Sequence, residues 1–461
     1  MASNLFMTKT IRLVSLQLSL LWAISFALHA GAQTLPLAEY KLAPAPEPTG
    51  LLLKRGDRLA ICGDSITEQK MYSRIIEDYL TMCVPELEIS VRQYGWSGER
   101  APGFRARMTN DCLRFFPTVA TTCYGMNDHE YRPYEDRIGR AYREHSTAII
   151  RAFKAHGAVV IHGSPGCVGK MPSWVKSATG TVDDLNRNLA MLRNIGIEIA
   201  RDERVRFADV FAPMINAGLQ ARQLYGTNFA IAGKDGVHPG WAGQAVMAYA
   251  FLKAMGLSGD LGTFTVDLKK NRMTASSGHK VLSAQPARYE VASSRFPFVA
   301  CAPEQEAKAN YPVCAPDDVT RDNTIRSALS LIPFNSELNR FMLIARNPNA
   351  DFYRVTWRSP ENEGASRVFS AAQLTRGINL AEEFPANPFS SAFAEVDAAV
   401  AAKQAFETRQ VKQIFHGAEG KADMDAAVRK TEAERAPLVR AIQQAFQPVR
   451  HVLLIEPARA R

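Results

Sequence analysis

The sequence lacks several features that would assign a chain to a protein class at once. None of its seven cysteines stands in a Cys-x-x-Cys pair, which argues against a structural zinc site. Lysine and arginine are scattered rather than clustered, so we expect no nucleic-acid partner. No segment repeats at a fixed period. What remains is a chain of 461 residues, 46% hydrophobic and 22% charged, which is typical of a globular protein of about two domains.

A long membrane-spanning run is also missing, although the N-terminus is apolar. Leu13–Leu28 follows Lys9 and Arg12, and serines and a glutamine interrupt it, whereas a span needs roughly 20 apolar residues. Ala30–Ala32 then offers small residues for cleavage. We therefore expect residues 1–32 to be a signal peptide, and the mature chain to be secreted or periplasmic with no stable membrane span. Their removal lowers the formal net charge from +9 to +7, because they hold two basic residues and no acid.

Cysteine spacing predicts a disulfide bond, because export permits oxidation. Cys301 and Cys314 flank a proline-rich loop and are the best pair by proximity. Cys83 with Cys112 is a second possibility. The odd number of cysteines leaves at least one free thiol.

Strand-like and helical segments alternate between residues 57 and 255. Short apolar runs such as Arg58–Cys62 and Ala158–His162 are separated by helical patterns such as Tyr134–His156. This alternation predicts a parallel sheet covered on both faces by helices, with right-handed crossovers. Ligands bind to such sheets beyond the carboxyl ends of the strands.

Composition divides the chain into five segments. The signal peptide is followed by a proline-rich lead-in at 33–55 and by the α/β domain at 56–262. Short strands without long helices predict a β-rich accessory module at 263–385. The alanine- and charge-rich segment 386–461 indicates a helical hairpin. The role of the last two segments is left open between a lid, a glycan-binding module and an oligomerisation surface.

A serine follows the first strand-like run. Gly63 permits a tight turn there, and Ser65 falls near the start of the next helix. Free N–H groups and the helix dipole at that position favour a developing oxyanion. A serine hydroxyl alone is a weak nucleophile and needs a base. The alternative is that Ser65 only caps the helix, with Glu68 completing a capping box.

His238 is the better candidate base, with His129 the other histidine in a turn-rich setting. Pro239 biases His238 away from helical geometry. Asp235, three residues back, can orient the imidazole and stabilise the imidazolium. The alternative is an ordinary histidine of a surface loop.

Two further blocks follow predicted strands. Asn127, in the segment Gly125–Asp128, could aim an amide N–H at an oxyanion, which in a known serine enzyme is worth about 3–4 kcal/mol. The alternative for Asn127 and its neighbour is turn chemistry. Glycines in the segment Gly95–Gly98 would leave a backbone N–H open to a ligand, or form an ordinary turn. Together with the serine and histidine segments, these blocks hold the parts for acyl transfer through a serine.

Taken together, the four segments resemble the SGNH (GDSL-type) hydrolase superfamily. That family carries a Gly-Asp-Ser block, a glycine block, a Gly-x-Asn-Asp block and an Asp-x-x-His block, in this order, and all four stand here in order. The resemblance covers roughly residues 56–260. It implies a three-layer α/β/α fold with Ser65 as nucleophile, His238 as base and Asp235 as its orienter. It also implies a reaction that needs no metal or organic cofactor.

The resemblance further implies an oxyanion hole. Its donors would be the backbone N–H groups of Ser65 and Gly98 and the side chain of Asn127. Gly98 is preferred to Gly95 because it occupies the Ser-Gly position of the glycine block. The chain departs from the family at Tyr94, which stands where the glycine block usually opens with asparagine.

These residues predict an esterase that works through an acyl-enzyme on a small-molecule or glycan ester. No long apolar stretch indicates a lipid tunnel, and aromatic and polar residues near the blocks suit an acylated sugar, so a carbohydrate O-acetylesterase is the first choice. The expected substrate contacts are Asp64, Trp96, Met126 and His129, with Tyr131 and Arg132 nearby.

Two other classes remain open from the sequence. One is a glycoside hydrolase or acyltransferase on the same scaffold, using carboxylates such as Asp64, Asp128 or Glu130. The other is a non-catalytic glycan-binding protein.

Overall fold

The computed structural model describes residues 35–176, 178–300 and 318–459. The expected signal peptide, residues 1–32, lies outside them. Within these ranges no helix is both long and apolar enough to cross a membrane. The described residues before Pro44, which belong to a unit of their own, contain one short helix, Leu35–Ala38.

The central sheet is parallel throughout and contains five strands: β1 Arg58–Gly63, β2 Ser90–Gln93, β3 Val119–Cys123, β4 Val159–Gly163 and β5 Arg206–Ala208. Their order is β2-β1-β3-β4-β5, and every neighbouring pair is parallel. All of β3 is buried, and so is β1 after its first residue. Strands buried along both faces are typical of a sheet that helices cover on each side.

Helices flank this sheet in two groups. Neighbouring helices of the first group contact one another, and so do those of the second. The first group contains Ala101–Asp111, Asp136–Ala155 and Val182–Glu203; the second contains Tyr72–Asp78, Phe211–Tyr225 and Trp241–Ala254. The predicted three-layer α/β/α fold is therefore confirmed.

Two of these helices are absent from the prediction for a common reason. Ala101–Asp111 contains Pro102 and Gly103, and Phe211–Tyr225 contains Pro213, residues that indicate turns when taken from sequence alone. Each proline lies in the first turn of its helix, where the missing N–H breaks no hydrogen bond. Proline therefore disfavours the interior of a helix but is compatible with its first turn.

The second half of the chain forms two further sheets. Strands β6 Asp260–Asp267, β7 Arg272–Ala275, β10 Arg340–Arg346 and β13 Ile378–Asn379 form a sheet in the order β13-β10-β6-β7. Strands β8 His279–Gln285, β9 Arg288–Ser293, β11 Phe352–Arg358, β12 Ala365–Ser370 and β14 Val449–Ala458 form the other, in the order β12-β11-β14-β9-β8. In β11, alternate residues Tyr353, Val355 and Trp357 are all buried, and Thr356 between the last two is buried as well.

The prediction of a helical C-terminus is wrong for the last strand. Composition assigned residues 386–461 to a hairpin, but its second helix ends at Ala445 and β14 lies between β9 and β11. His451, Leu453 and Ile455 are buried in this strand. The prediction extended the helical composition of the preceding segment across this strand of ten residues.

The remaining C-terminal segments form the helical hairpin. Its helices are Ser390–Arg409, which continues as a π-helical turn to Phe415, and Met424–Ala445, with the short helix Ala418–Ala422 between them. The first helix contacts Tyr72–Asp78 and β2. A helical hairpin was expected here, and it packs on the α/β domain.

Buried charges join this hairpin to the α/β domain. Arg74 binds Asp397 through two hydrogen bonds of 2.6 and 2.9 Å. Lys403 is 1% exposed and lies 2.9 Å from Glu77 and 3.0 Å from Glu407. Charges removed from water are stable only when paired, so the hairpin is bound to this one position.

The five cysteines in the described ranges are buried and free: Cys62, Cys83, Cys112, Cys123 and Cys167. The expectation that Cys83 pairs with Cys112 is therefore wrong. The Cys112 thiol contacts Cys62 instead, whereas Cys83 lies near Asp78. The preferred pair, Cys301–Cys314, lies outside the described residues.

The charge cluster leads to a stability prediction. The substitution Lys403→Met should lower the free energy of unfolding by about 3–5 kcal/mol, because Glu77 would remain buried without a cation and Glu407 would keep only Arg435. The control is Lys430→Met, which removes an exposed pair with Glu419 and should change little. Urea denaturation measures both, and equal effects of the two substitutions would contradict the importance of the buried cluster.

Candidate active site

Ser65 is the first residue of a short helix that follows β1. Asp64 caps this helix by accepting a backbone N–H at 3.0 Å. Glu68, which a capping box would need, instead binds Lys412 at 2.8 Å. The alternative of Ser65 as the helix cap is therefore wrong, and its hydroxyl is left for another partner.

That partner is the imidazole of His238. The Ser65 Oγ lies 2.8 Å from His238 Nε2, and His238 Nδ1 lies 2.7 Å from Asp235 Oδ2. A hydroxyl, an imidazole and a carboxylate thus form one hydrogen-bonded chain, the arrangement in which histidine can take a proton from serine. The structure brings together all three residues expected to act in catalysis.

The local turn holds the carboxylate of Asp235 in its ionised form. Its Oδ1 accepts the backbone N–H groups of Val237 and His238, each at 2.9 Å. Partial burial acts to raise the pKa of Asp235, but these hydrogen bonds and the His238 side chain together hold that pKa below its usual value. The carboxylate is therefore charged whenever the histidine accepts a proton.

Asn127 lies between the glycine segment and an aromatic residue. Its Nδ2 donates to the Glu99 carbonyl at 3.1 Å, and its Oδ1 accepts from the Tyr131 hydroxyl at 3.0 Å. The amide is therefore held at both ends beside the segment Gly95–Gly98. A second N–H of the same nitrogen remains for a ligand.

The two candidate glycines have different surroundings. A Cβ on Gly95 would lie 2.2 Å from the backbone nitrogen of Glu68, so this glycine allows its loop to pack on the Ser65 helix. Gly98 is exposed, has a φ of +73°, and would place a Cβ in open space. An exposed glycine in a left-handed conformation can present its own backbone N–H to a ligand. This favours Gly98, as expected, over Gly95 as the oxyanion donor.

The hairpin reaches this loop through Glu68. The Glu68 carboxylate binds Lys412 through both oxygens, at 2.8 and 2.9 Å, and also accepts the backbone N–H of Ser97. A residue from the C-terminal half of the chain thus contacts both the Ser65 helix and the glycine segment through one carboxylate.

Three of the four expected substrate contacts are buried instead. Asp64 is 2% exposed, Met126 is 2% exposed and His129 is fully buried. Burial lowers the pKa of His129 to about 4, and its Nδ1 faces the Met126 carbonyl, so His129 is neutral and its Nδ1 is occupied. These expectations are wrong because residues that neighbour the catalytic residues in sequence can pack beneath them, where the fold buries their side chains.

The fourth expected contact, Trp96, is covered by other side chains. Lys412 and Arg107 lie over its ring at 5.1 and 5.0 Å, and the His416 ring packs edge-on at 5.0 Å. Lys412 and His416 belong to the hairpin, which sequence reasoning did not place here. Trp96 is therefore a packing residue beneath the hairpin.

The aromatic residue that does lie beside the histidine is Trp174, which sequence reasoning missed. Its ring centroid lies 5.8 Å from that of His238, and 42% of the residue is exposed. Trp174 follows β4 in a loop rich in glycine, proline and serine. A tryptophan in a loop after a parallel strand was the available signal, because such loops surround ligands.

Residues 61–246 match a family model described as the GDSL-like Lipase/Acylhydrolase family. This part of the chain belongs to the SGNH hydrolase superfamily. It is accordingly a hydrolase domain that acts on esters. No curated protein matches the chain.

Three solved structures are similar to this chain to different degrees. A gut microbial diltiazem-metabolizing enzyme is 19% identical with a TM-score of 0.69, over 89% of this chain and 100% of that one. The acetylxylan esterase Axe2 from Geobacillus stearothermophilus is 22% identical over 44% and 96% of the two chains, with a TM-score of 0.38. An alpha/beta hydrolase enzyme from the metagenome of Lake Arreo, Spain, is 20% identical over 45% and 98%, with a TM-score of 0.37. The first likeness shows a common fold that extends beyond the SGNH domain.

Two buried carboxyl groups beneath the site have raised pKa values. Burial raises the pKa of Asp64 to about 7, and that of Asp128 to about 6. Asp128 accepts the backbone N–H groups of Ala101 and Gly125, at 3.0 and 2.9 Å, and so ties a helix start to the Asn127 segment. Both groups hold the loops around the site in place.

These shifts predict that the protein loses stability as the pH rises. A carboxyl group with a raised folded-state pKa contributes stability below its unfolded value of 3.8, and this contribution is lost as the pH rises through about 7. Asp64→Asn should remove up to about 3 kcal/mol of the difference in unfolding free energy between pH 5 and pH 8. Urea denaturation at the two pH values measures it. An unchanged pH dependence in the variant would contradict a protonated Asp64.

Proposed function

We propose that this chain is an exported serine esterase that removes acyl groups, acetyl above all, from carbohydrates. The observation that carries the proposal is the hydrogen-bonded chain from Ser65 through His238 to Asp235, with contacts of 2.8 and 2.7 Å. This geometry supplies an activated nucleophile within a superfamily of ester hydrolases.

Acylation would begin with attack of the Ser65 Oγ on the ester carbonyl carbon, while its proton passes to His238 Nε2. The carbonyl oxygen becomes an oxyanion, which the N–H groups of Ser65, Gly98 and Asn127 would stabilise. The intermediate then expels the alcohol oxygen, which takes the proton from His238. The products of this half-reaction are a free alcohol and an acyl-Ser65 ester.

Deacylation would repeat these steps with water. His238 takes a proton from the water as its oxygen attacks the acyl carbon, and Asp235 stabilises the imidazolium. Collapse of the second oxyanion breaks the bond to the Ser65 oxygen, which recovers its proton from His238. A carboxylic acid leaves, and no metal or organic cofactor takes part.

The surroundings of His238 support a polar substrate. The cleft beside it is lined by polar side chains that include Gln69, Lys234, Asp322 and Asn323. Trp174 adds an exposed aromatic face. An exposed aromatic ring and a polar cleft on the same histidine suit a sugar ring, and no partner other than a small-molecule or glycan ester is needed.

The rival use of carboxylates is less well supported. Asp64 and Asp128 are buried and accept backbone N–H groups, and Glu130 is bound by Arg137 at 2.7 and 2.9 Å. A glycosidase requires two carboxyl groups that flank the sugar bond, and none of these three is available to form such a pair. A glycan-binding protein would have no need of the aligned hydroxyl and imidazole.

Substitutions of the nucleophile and the base test the proposal. Ser65→Ala and His238→Ala should each lower kcat for acetate release from an acetylated polysaccharide by about a thousandfold or more. Ser294→Ala, on an exposed residue of the β-rich part, is the matched control and should leave kcat unchanged. A loss of less than tenfold in either catalytic variant would contradict the assignment.

A further inference from the structure

The two ends of the Asn127 amide have different chemistry but nearly the same shape. The nitrogen end can donate to an oxyanion, whereas the oxygen end would repel one. The enzyme therefore needs a contact that decides which end faces the substrate. Two contacts are available in the structure, one at each end of the amide.

The first contact is the Glu99 carbonyl, which can only accept a hydrogen bond. It takes one N–H of Asn127 Nδ2 at 3.1 Å and leaves the second for a ligand. The second contact is the Tyr131 hydroxyl, which donates to Asn127 Oδ1 at 3.0 Å. Burial raises the pKa of the Tyr131 hydroxyl well above its ordinary value, so it keeps the proton that it donates.

The backbone around Tyr131 is held in a strained conformation. Glu130 and Tyr131 have φ angles of +56° and +54°, a left-handed pair in which neither residue is glycine. A left-handed φ is unfavourable for a residue with a Cβ, and strain of this kind persists where the surrounding structure enforces it. Salt bridges from Arg100 and Arg137 hold Glu130 in place.

Aromatic neighbours fix the Tyr131 ring itself. The His129 ring lies 4.6 Å away, and the Trp174 ring stands perpendicular to it at 5.9 Å. Trp174 is the exposed residue beside His238. Tyr131 therefore links the indole beside His238 to the amide that would receive the oxyanion.

We propose that Tyr131 is a positioning residue that orients the Asn127 amide, so that a nitrogen-bound hydrogen rather than the oxygen faces the oxyanion. The proposal rests on the oxyanion role of Asn127 in the proposed function. Tyr131 touches neither the nucleophile nor the base, and it acts only through Asn127.

A double-mutant cycle on the full mature chain tests this role, with p-nitrophenyl acetate as the substrate. Tyr131→Phe removes only the hydroxyl and should lower kcat about tenfold, with KM within twofold of the parent. Asn127→Ala should lower kcat by about 10²–10³-fold. Because Tyr131 acts through Asn127, the double variant should be no slower than Asn127→Ala alone.

The matched control is Tyr225→Phe, which removes a hydroxyl hydrogen-bonded to Ser330 at 2.9 Å; Tyr225 is not one of the residues that line the cleft. It should leave kcat and KM unchanged. Thermal unfolding of each variant shows whether the fold is kept.

Four outcomes are distinguishable. The positioning role would be overturned if the double variant had a kcat below that of Asn127→Ala by the same factor that Tyr131→Phe alone produces. An unchanged kcat in Tyr131→Phe would also overturn it. Loss of the fold in Tyr131→Phe would assign the residue a structural role and overturn it too. In all three cases a large loss in Ser65→Ala would leave the proposed function standing. Full activity in Ser65→Ala would instead contradict both the positioning role of Tyr131 and the proposed function.

Discussion

The contact between the Ser65 hydroxyl and the His238 ring is the interaction on which the active site and the proposed reaction both depend. It joins residues 173 positions apart in the chain at a distance of 2.8 Å. Ser65 stands just after β1, and His238 stands in the turn before the helix Trp241–Ala254. A parallel sheet brings such distant segments to one edge, because its strands all end on the same side.

The C-terminal half carries no catalytic motif, yet it contacts the site. Lys412 binds the Glu68 carboxylate, which also accepts the N–H of Ser97. His416 packs on Trp96 and lies 2.8 Å from the buried Asp111. The hairpin is thus part of the structure that holds the Ser65 helix and the glycine segment together, and its buried ion pairs restrict it to this position.

Sequence predicted the parts of the site that depend on short, ordered blocks. Ser65, Asp235 and His238 come together where the blocks implied, Asn127 lies beside the glycine segment, and the alternating pattern predicted the central sheet correctly. Such features are local, because the residues of a block themselves form the turn and the residues of a strand themselves show the burial pattern. The expected division into domains stays a prediction.

What could not be predicted depends on contacts between distant segments. Trp96 appeared available to a ligand because nothing in the sequence shows that Lys412 covers it. Met126 and His129 are buried by the surrounding fold, and β14 owes its place to strands more than 90 residues earlier. Trp174 belongs to no block, so only the fold brings it to His238.

The most direct measurement is covalent trapping with a fluorophosphonate, followed by peptide mapping of the adduct. We expect one adduct, on the Ser65 oxygen, and a greatly slowed reaction in His238→Ala because the imidazole no longer takes the proton. Ester hydrolysis by a protein that remains unlabelled at Ser65, or an adduct on another residue, would contradict this expectation.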